Sequence, residues 1–439
     1  MTTLYLAEKP SQARDLAEAI GLIGRSNGYL TVKGGTVTWA LGHLLEQAPP
    51  EDYDERWGGR WSFSVLPMIP DVWKSNVVRS KAAQVKIIRT LLKEAKDVII
   101  ATDAGREGEL IAREILEYCR YRGPVKRLWT SSLVKSDIQK ALKALKPGSA
   151  TAALHEAALA RSRADWLYGM NGSRAVTLGA QNFGTVYPVG RVQTPTLAMV
   201  VRREWEIRNF VPREYFELEA TVKTDSGHQF LMFHAPAENE RIRDRAEAEK
   251  RRKRAQGAAG RLNVERKSGK ESPPLPYTLP VLQKSANKIL GLSARDTLKL
   301  AQELYEAKAI TYPRTDCPYL ASSQKDEVEP TLDRLTEAFP EAVNALRTAG
   351  VTTRASTFDD AKLTDHHGIV PTKQSVELKG VAAKVFALIS ERYLQTLAPD
   401  CLFDRTIVTL DANGVPFRAT GKTITDPGFR AVKIVSTEG

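Results

Sequence analysis

The chain contains two segments in which a short apolar strand is followed at once by an acidic turn and an amphipathic helix. In the first, residues 4–7 lead into Glu8, and in the second, residues 98–101 lead into Asp103. Apolar residues then recur at helical spacing after each turn, so the pattern predicts strand, turn and helix twice over. Such units are typical of an α/β sheet, where ligands collect outside the carboxyl ends of the strands. We therefore expect Glu8 and Asp103 to converge despite their separation in sequence.

The rest of the chain is predicted to be a mixture of α and β structure. Residues 154–210 have the pattern of helices, and residues 241–254 are a run of charge for which a solvated helix face is expected. Helices are also predicted on both sides of Gly291, and they place Tyr312 just past a helix, on a strand or loop. Further strands are predicted at residues 217–222, 230–233, 406–410 and 431–435.

Composition ranks the classes of partner. The 439 residues are enough for two to four domains, and 64 Lys and Arg against 52 Asp and Glu give a net charge of +12. Such a surplus favours a polyanionic partner, because Lys and Arg neutralise phosphates and release counterions. The sequence shows neither an apolar stretch of membrane-spanning length nor the pattern of a signal peptide at its start. We therefore expect a cytoplasmic protein.

Motifs for zinc and for nucleotides are lacking. The three cysteines, Cys119, Cys317 and Cys401, lie far apart, so they support neither a zinc site nor a disulfide framework. Residues 421–423 match the end of a nucleotide-binding loop, but Pro416 stands where its first glycine is required. We therefore expect neither zinc nor ATP.

Several longer motifs occur in one order along the chain. Residues 103–109 (DAGREGE), together with residues 7–10 (AEKP), resemble the Toprim domain of topoisomerases and primases. They are followed by SRADWLYGMN at 162–171, VGRVQTPT at 189–196, ITYPRTD at 310–316 and HHGIVPT at 366–372. In this order, and over nearly the whole chain, the motifs resemble those of type IA DNA topoisomerases of the topoisomerase III branch.

The resemblance implies a fold class that combines α/β with mixed α and β domains around a DNA-sized hole. The expected parts are a Toprim domain at 1–152, the first part of a helical domain at 153–212, a β-strand arch from 213–277 and 403–439, and a helix-turn-helix-like domain with the nucleophilic tyrosine at 278–402. Chains of this family normally continue further than this one, so the arch and the helical domain are expected to be incomplete.

Tyr312 is the expected nucleophile. A tyrosine hydroxyl has a pKa of about 10, so attack on a phosphodiester near neutral pH needs proton removal and cations at the phosphate. Arg314 can offer two parallel hydrogen bonds, and in a strand it would share a face with Tyr312. Glu8 is expected to relay protons to or from the leaving sugar hydroxyl, and Lys9 to add positive charge.

Other expectations rest on the resemblance alone. His366, more than His367, is expected to support the phosphate, and the covalent bond is expected to be a 5′-phosphotyrosine. Because this bond keeps the energy of the broken phosphodiester, cleavage and resealing are nearly balanced. Strand passage would then relax negatively supercoiled DNA or unlink single-stranded regions.

A divalent cation is expected beside the acids. Mg²⁺ prefers oxygen ligands and commonly uses one or two carboxylates together with waters and phosphate oxygens. Glu8, Asp103 and Glu107 are the expected ligands for one ion. The usual Toprim pattern has three acids at alternate positions, but Gly105 stands where the middle one would be, which weakens the case for a second ion. Glu109, at the start of a helix, is expected to point elsewhere.

DNA, especially single-stranded or negatively supercoiled DNA, is the expected partner. Basic side chains would follow its backbone, and an aromatic ring such as Trp61 would stack on a base. The sequence indicates no membrane and identifies no helicase partner, and the implied setting is a bacterial or plasmid-associated chain. The expected DNA contacts come from Trp61, Arg163, Arg174, Val189, Gly190, Arg191, Val192, Gln193 and Arg314.

Two other functions stay open. One is a truncated topoisomerase-like protein that binds single-stranded DNA without completing turnover, which an assay for the covalent adduct separates from the enzyme. The other is a Toprim nuclease or primase, which would use Glu8 and Asp103 but leave the Tyr312 and His366 motifs without a role.

Overall fold

The structure is a computed structural model that describes residues 2–130, 133, 135–180, 184–236 and 241–435. It divides into two compact units, and the chain passes between them several times. The first unit contains Met1–Glu206, Tyr312–Glu327 and Phe358–Gly368. The second contains Ile207–Thr311, Val328–Thr357 and Ile369–Gly439.

The first unit is an α/β domain followed by long helices. Its strands are β1 Thr2–Ala7, β2 Leu22–Ser26, β3 Tyr29–Val32, β4 Gly35–Trp39, β5 Leu45–Gln47, β6 Ser75–Val77, β7 Ala95–Ala101, β8 Val125–Arg127 and β9 Lys146–Pro147. Its helices are α1 Pro10–Ile20, α2 Pro50–Tyr53, α3 Ala82–Glu94, α4 Arg106–Tyr118, α5 Lys135–Lys143, α6 Ala152–Gly179 and α7 Gln193–Arg208, whose last two residues are assigned to the second unit.

The main sheet of this unit has the two predicted apolar strands side by side at its centre. Among the described residues its strand order is β2-β3-β4-β1-β7-β8-β9. Strand β1 pairs in parallel with both β4 and β7, and the pairing runs from Leu4 opposite Val98 to Ala7 opposite Ala101. The carboxyl ends of β1 and β7 therefore lie at the same edge of the sheet, as the sequence predicts.

Both faces of this sheet are covered by helices, which explains why the carboxyl-terminal parts of β1 and β7 are apolar. On one face Leu6 and Ile100 pack with Ile88 of α3 and Ile111 of α4. The opposite face packs against apolar residues of α1 and α5, including Leu16. The core thus fixes the two strands from both sides and holds the turns that follow them.

The second unit contains an antiparallel sheet and a set of helices. Its strands are β10 Glu219–Lys223, β11 Gln229–His234, β12 Asn263–Glu271, β13 Cys401–Asp411 and β14 Pro416–Asp426, in the sheet order β10-β11-β14-β13-β12. Its helices are α8 Arg245–Ala255, α9 Leu279–Leu290, α10 Ala294–Glu306, α11 Val328–Ala338, α12 Pro340–Ala349 and α13 Gly380–Thr396.

The residues between α9 and α10 end one helix and begin the next, as the sequence predicts. Gly291 ends α9 with a φ of 68°, a left-handed conformation that glycine adopts without steric cost. The Ser293 hydroxyl then accepts a hydrogen bond from the backbone N–H of Asp296 over 3.0 Å and begins α10. The charge run at 241–254 falls largely on α8, where Ala248 is the buried residue.

Two predictions about the carboxyl end have different outcomes. The strand at 406–410 is confirmed as part of β13, which pairs with β12 on one side and β14 on the other. The strand at 431–435 is wrong. Val432 is buried there, and the backbone N–H groups of Ile434 and Val435 donate to the Glu391 carboxylate over 2.6 and 2.7 Å, so a helix side chain takes the place of a strand partner. In the part of the chain that the structure describes, no helix is long and apolar enough to cross a membrane.

Candidate active site

Glu8 and Asp103 lie together at the carboxyl edge of β1 and β7. The last residues of these strands, Ala7 and Ala101, are paired, so the two acidic turns leave the sheet side by side. The backbone N–H of Asp103 donates a hydrogen bond to a Glu8 carboxylate oxygen over 3.2 Å. The Lys9 ammonium lies 3.4 Å from an Asp103 carboxylate oxygen. The convergence predicted from the two strand-turn-helix segments is confirmed.

Gln12 connects the two turns. It lies in the first turn of α1 and is 5% exposed. Its side-chain carbonyl accepts a hydrogen bond from the Glu8 backbone N–H over 2.8 Å, and its amide nitrogen donates to the Asp103 carboxylate over 2.9 Å. No motif in the sequence predicts this role. The available signal is a polar residue at a helical position whose neighbours, such as Ala13, are core residues.

The turn between β7 and α4 is held by close packing. A β-carbon added at Gly108 would lie within 3.1 Å of three backbone atoms of Asp103, so glycine lets the helix approach the turn closely. The Gly108 carbonyl also accepts a hydrogen bond from the Thr102 hydroxyl over 2.7 Å. The position of Asp103 is therefore set by the backbone of the helix that follows it.

A buried ion pair supports the same turn. Arg127 and Glu109 are both fully buried, and the Arg127 Nε lies 2.9 Å from a Glu109 carboxylate oxygen. The Arg127 guanidinium also donates to the carbonyls of Thr102 and Asp103 over 2.8 and 2.6 Å. Glu109 points into the core, as expected for a residue outside the ligand set.

Tyr312 meets the acidic turns through Lys9 and His366. The Lys9 ammonium lies 3.8 Å from the centre of the Tyr312 ring. The ring of His366 lies 4.4 Å from that of Tyr312, centre to centre, and its Nε2 lies 3.3 Å from the Asp103 carboxylate. Four segments that are remote in sequence thus contribute to one cluster, which we call the Tyr312 site and define as Glu8, Lys9, Asp103, Tyr312 and His366.

The surroundings of the two acids in the Tyr312 site shift their pKa values in opposite directions. Burial and the nearby charge of Asp103 raise the pKa of Glu8 to about 7. Burial acts in the same direction on Asp103, but hydrogen bonding to His366 and the charge of Lys9 lower the pKa of Asp103 to about 2. Burial also raises the pKa of Tyr312, while the charges of Lys9 and Arg314 lower it. Asp103 therefore holds the stable negative charge of the pair.

Arg314 lies in a loop rather than in a strand. Tyr312, Pro313 and Arg314 all fall outside the helices and strands, so the argument that a strand would put Tyr312 and Arg314 on one face does not apply. Arg314 is exposed, yet it is near enough for its charge to lower the pKa of Tyr312. The two side chains thus interact electrostatically without strand geometry.

His367 has different surroundings from His366. Its Nδ1 lies 2.9 Å from the Gly368 carbonyl, and its Nε2 lies 3.4 Å from the side-chain nitrogen of Gln324. Burial lowers the pKa of His367. Of the two histidines, His366 is the one in contact with the Tyr312 ring.

Glu107 is placed beside a histidine that the motifs do not predict. The His43 ring nitrogens lie 2.7 Å from a Glu107 carboxylate oxygen and 3.2 Å from one of Glu114. Hydrogen bonds to Glu107 and Glu114 raise the pKa of His43 to about 9. The Glu107 side chain is 52% exposed and also lies 3.9 Å from the guanidinium of Arg161. Glu107 is thus held by cations at the start of α4.

The carboxylates of the site suit an Mg²⁺ ion that keeps some of its water ligands. Glu8 and Asp103 offer two carboxylates in one turn region, and Mg²⁺ is commonly bound by one or two carboxylates with waters and phosphate oxygens. Within the described ranges, no group of three or more His, Cys, Asp or Glu is arranged to hold a metal ion. The residues therefore fit an ion held by few protein ligands, and they do not form a closed cage.

Two arginines of α6 that are expected to contact DNA lie against tryptophan rings. The guanidinium of Arg163 lies 5.4 Å from the centre of the Trp73 ring, and that of Arg174 lies 5.1 Å from Trp61. Arg174 is 6% exposed and donates to the Trp57 carbonyl over 2.7 Å. Arg174 thus contacts the Trp61 ring while being almost wholly buried itself.

The turn before α7 has its own hydrogen bonds. The backbone N–H of Val189 donates to Ser173 over 2.8 Å, and that of Gly190 donates to the Thr194 hydroxyl over 3.1 Å. Arg191 lies 2.7 Å from Asp165 of α6. Arg191, Val192 and Gln193 are exposed.

Comparisons with known proteins give consistent matches. Residues 149–439 match the family described as DNA topoisomerase, and residues 3–133 match the Toprim domain. The protein named DNA topoisomerase 3 from Shouchella clausii is 40% identical over 97% of this chain and 59% of its own length. Those of the same name from Vibrio cholerae and Bacillus subtilis are each 37% identical, over 98% and 99% of this chain and 70% and 60% of their own lengths.

A solved structure has the same fold. Full-length topoisomerase I from Thermotoga maritima matches 99% of this chain and 68% of that chain with a TM-score of 0.66 and 23% sequence identity. The chain spans 59% of the length of the Shouchella clausii relative, so that relative has further sequence to which nothing here corresponds.

Proposed function

The chain belongs to the DNA topoisomerase family, and from this premise we propose that it cuts and reseals one DNA strand through a covalent bond between Tyr312 and a backbone phosphate. The observation that carries the proposal is the contact of the Tyr312 ring with the Lys9 ammonium and the His366 ring, because His366 in turn lies 3.3 Å from Asp103. The reaction needs a nucleophilic oxygen, positive charge and acidic groups in one place, and the Tyr312 site brings these together.

The proposed step exchanges one phosphodiester for another. The Tyr312 oxygen attacks phosphorus and loses its proton, the bond from phosphorus to the sugar oxygen breaks, and that oxygen gains a proton. Following the type IA resemblance, we assign the phosphate to the 5′ end of the broken strand. Resealing reverses each change, so no ATP is required. Strand passage between the two steps would relax negatively supercoiled DNA or unlink single-stranded regions.

The side chains around Tyr312 supply the charges for this exchange. Lys9 and Arg314 would stabilise the phosphate, and removing a donor of this kind from an active site typically slows the reaction by about 10²–10³-fold. Glu8 would relay the proton to and from the sugar oxygen, and His366 would support the phosphate. The contact of His366 with both the Tyr312 ring and Asp103 supports its place at the reacting group.

We propose Mg²⁺ as the metal ion of the site. Glu8 and Asp103 would hold it with Glu107 as a third acid, and the ion would supply positive charge to DNA phosphate oxygens. The two neighbouring carboxylates support this role.

Single-stranded or negatively supercoiled DNA is the proposed substrate. The exposed residues Arg191, Val192 and Gln193 at the start of α7, together with Val189 and Gly190 of the preceding turn, would lie along its backbone. Trp61 would stack on a base, and the contact with Arg174 would orient its ring. With a net charge of +12, binding should weaken steeply as salt rises. Since its substrate would be bacterial or plasmid DNA, we place the protein in the cytoplasm.

Substitution of the nucleophile tests the proposal. Tyr312→Phe removes only the phenolic oxygen, so we expect it to abolish the covalent adduct on a labelled single-stranded oligonucleotide, detected after denaturation, while binding measured by fluorescence anisotropy stays close to that of the wild type. Tyr319→Phe, in the same segment, is the matched control and should keep the adduct. Adduct in Tyr312→Phe would refute the assignment.

The same assay separates the other functions. Binding without adduct in the wild type would favour a protein that holds single-stranded DNA without turnover. Cleaved DNA without adduct would favour a Toprim nuclease.

A further inference from the structure

Gly105 occupies the position where the usual Toprim pattern has its middle acid, and its backbone does not require glycine. Its φ of −156° and ψ of 179° are extended values that any residue adopts. The residue is buried at the start of α4, between Asp103 and Glu107. The reason for glycine must therefore lie in the space around it.

That space is filled by the side chain of Asp365. A β-carbon added at Gly105 would lie within 2.5 Å of all three atoms of the Asp365 carboxyl group. Any side chain at position 105 would overlap this carboxylate. The place where the middle acid would begin is thus taken by an acid from a different segment, Phe358–Gly368, which belongs to the same unit.

Asp365 has the cationic groups of His366 and Arg106 near it but makes no direct pair with either. Among the described residues, no hydrogen bond or ion pair is made by its carboxylate. Burial raises the pKa of Asp365, the charges of Asp103 and Asp316 act in the same direction, and the charges of His366 and Arg106 lower it. The next residue, His366, contacts that same Asp103 carboxylate. The Asp365 carboxylate therefore lies against Gly105 of the acidic motif, in the segment whose next residue contacts Asp103.

We propose that Asp365 takes the place of the missing acid at position 105 and acts as a further carboxylate that attracts the divalent cation of the Tyr312 site. The inference rests on the proposed function, because that function supplies the reason for a cation. It accounts for the glycine in the acidic motif, because the space of the middle acid is occupied by an acid from another segment. It also makes cation binding depend on the segment that carries His366.

A pair of substitutions tests this exchange. Asp365→Asn removes the charge, and we expect it to weaken Mg²⁺ binding, measured by isothermal titration without DNA, by about 10-fold or more, in the range found when partners of a metal site are lost. Gly105→Asp alone should also weaken binding, because its side chain overlaps Asp365. The double variant Gly105→Asp with Asp365→Ala should recover most of the wild-type affinity, because the acid then occupies its usual position.

The control and the contrary results are defined by the same titration. Glu377→Gln, which removes an exposed acid paired with Lys379, should leave Mg²⁺ affinity unchanged. Thermal unfolding measured in the presence of a chelator shows whether each variant is folded without metal. Wild-type affinity in folded Asp365→Asn, no Mg²⁺ binding by the wild type, or no recovery in the folded double variant would each overturn the inference. Failure of the proposed function would give a different result. The wild-type protein would then form no covalent adduct at Tyr312, although its Mg²⁺ affinity would still depend on Asp365.

Discussion

Lys9 lies between the nucleophile and an acid, and its charge acts on both. Its ammonium is 3.8 Å from the centre of the Tyr312 ring and 3.4 Å from the Asp103 carboxylate. Burial raises the pKa of Tyr312, and the charge of Lys9 is the largest influence that lowers it. Lys9 thus works against the burial that makes the tyrosine hard to deprotonate.

Lys9→Met should therefore shift the pH dependence of cleavage. Without the ammonium, the pKa of Tyr312 rises further, so less tyrosinate forms at neutral pH and the rate of adduct formation should fall by roughly 10²-fold. The whole rate profile, measured in single turnovers between about pH 6 and about pH 10, should move to higher pH. Lys146→Met, which removes an ammonium 5.0 Å from the Trp129 ring, is the control. An unshifted profile in Lys9→Met would mean that Lys9 does not affect the ionisation of Tyr312.

At this scale the motifs predict some residues of the site and miss others for a physical reason. Glu8 and Asp103 follow from the two strand-turn-helix segments, whereas Tyr312 follows from the resemblance of its motif to the type IA family. Gln12 and Asp365 act through contacts with residues that are distant in sequence, 91 positions apart for Gln12 and Asp103. Such contacts depend on how the turns pack, which no local pattern records.

The turn that joins β7 to α4 is the element on which the acids depend. Fully buried Arg127 donates to two carbonyls of this turn and pairs with fully buried Glu109. Breaking a buried pair by removing one member typically costs about 3–5 kcal/mol, although Glu109 would keep a second cation here, because the Arg113 Nε lies 2.7 Å from its carboxylate. The stability of the turn and the position of Asp103 are therefore coupled.

Arg127→Met should loosen this turn selectively. We expect faster amide hydrogen exchange in peptides that cover residues 102–111, and a loss of about 3 kcal/mol in the free energy of unfolding of this unit, since Glu109 keeps its pairing with Arg113. Combining Arg127→Met with Glu109→Leu should recover part of the loss, because the fully buried carboxylate is then removed and the remaining cation, Arg113, is partly exposed. Arg347→Met, at a surface pair with Asp333, is the control. Equal exchange in Arg127→Met and the control would contradict a supporting role for the pair.

The elements themselves are predictable where apolar residues recur and less so elsewhere. Strands β1, β7 and β13 have clear apolar patterns, whereas β12 consists largely of exposed polar residues and could not be read from its sequence. The segment at 431–435 fails for the opposite reason. Its residues are mostly apolar, but Glu391 binds its backbone N–H groups, so burial takes place without a strand.

At the scale of the whole molecule, the residues proposed for chemistry come from segments far apart in the chain but within one unit. Tyr312–Glu327 and Phe358–Gly368 are assigned to the same unit as the acidic turns. The predicted helix-turn-helix-like domain at 278–402 thus contributes to both units, and its boundaries stay a prediction. Sequence motifs identify which segments share a function. The unit to which each segment belongs depends on contacts in the folded chain, which the motifs do not record.

Helix α7 leaves apolar side chains unusually open to solvent. Leu197, Met199, Val200 and Trp205 are 61–70% exposed, and no described residue of α7 is buried. Covering a Leu-sized side chain stabilises a fold by about 1.5–3 kcal/mol. The relatives are longer than this chain, which spans 59% of the Shouchella clausii protein.

We predict that the part of such a relative that has no counterpart in this chain, supplied as a fusion, covers α7. The fused protein should melt at a higher temperature, because several apolar side chains leave water together. Trp205 should become less accessible to acrylamide, and its fluorescence should shift to shorter wavelength. Subtracting the signal of Trp205→Phe in each background isolates this residue from the other six tryptophans. If the fusion leaves both melting and Trp205 quenching unchanged, the added segment does not pack on α7, and the exposed side chains are available for another partner such as DNA bases.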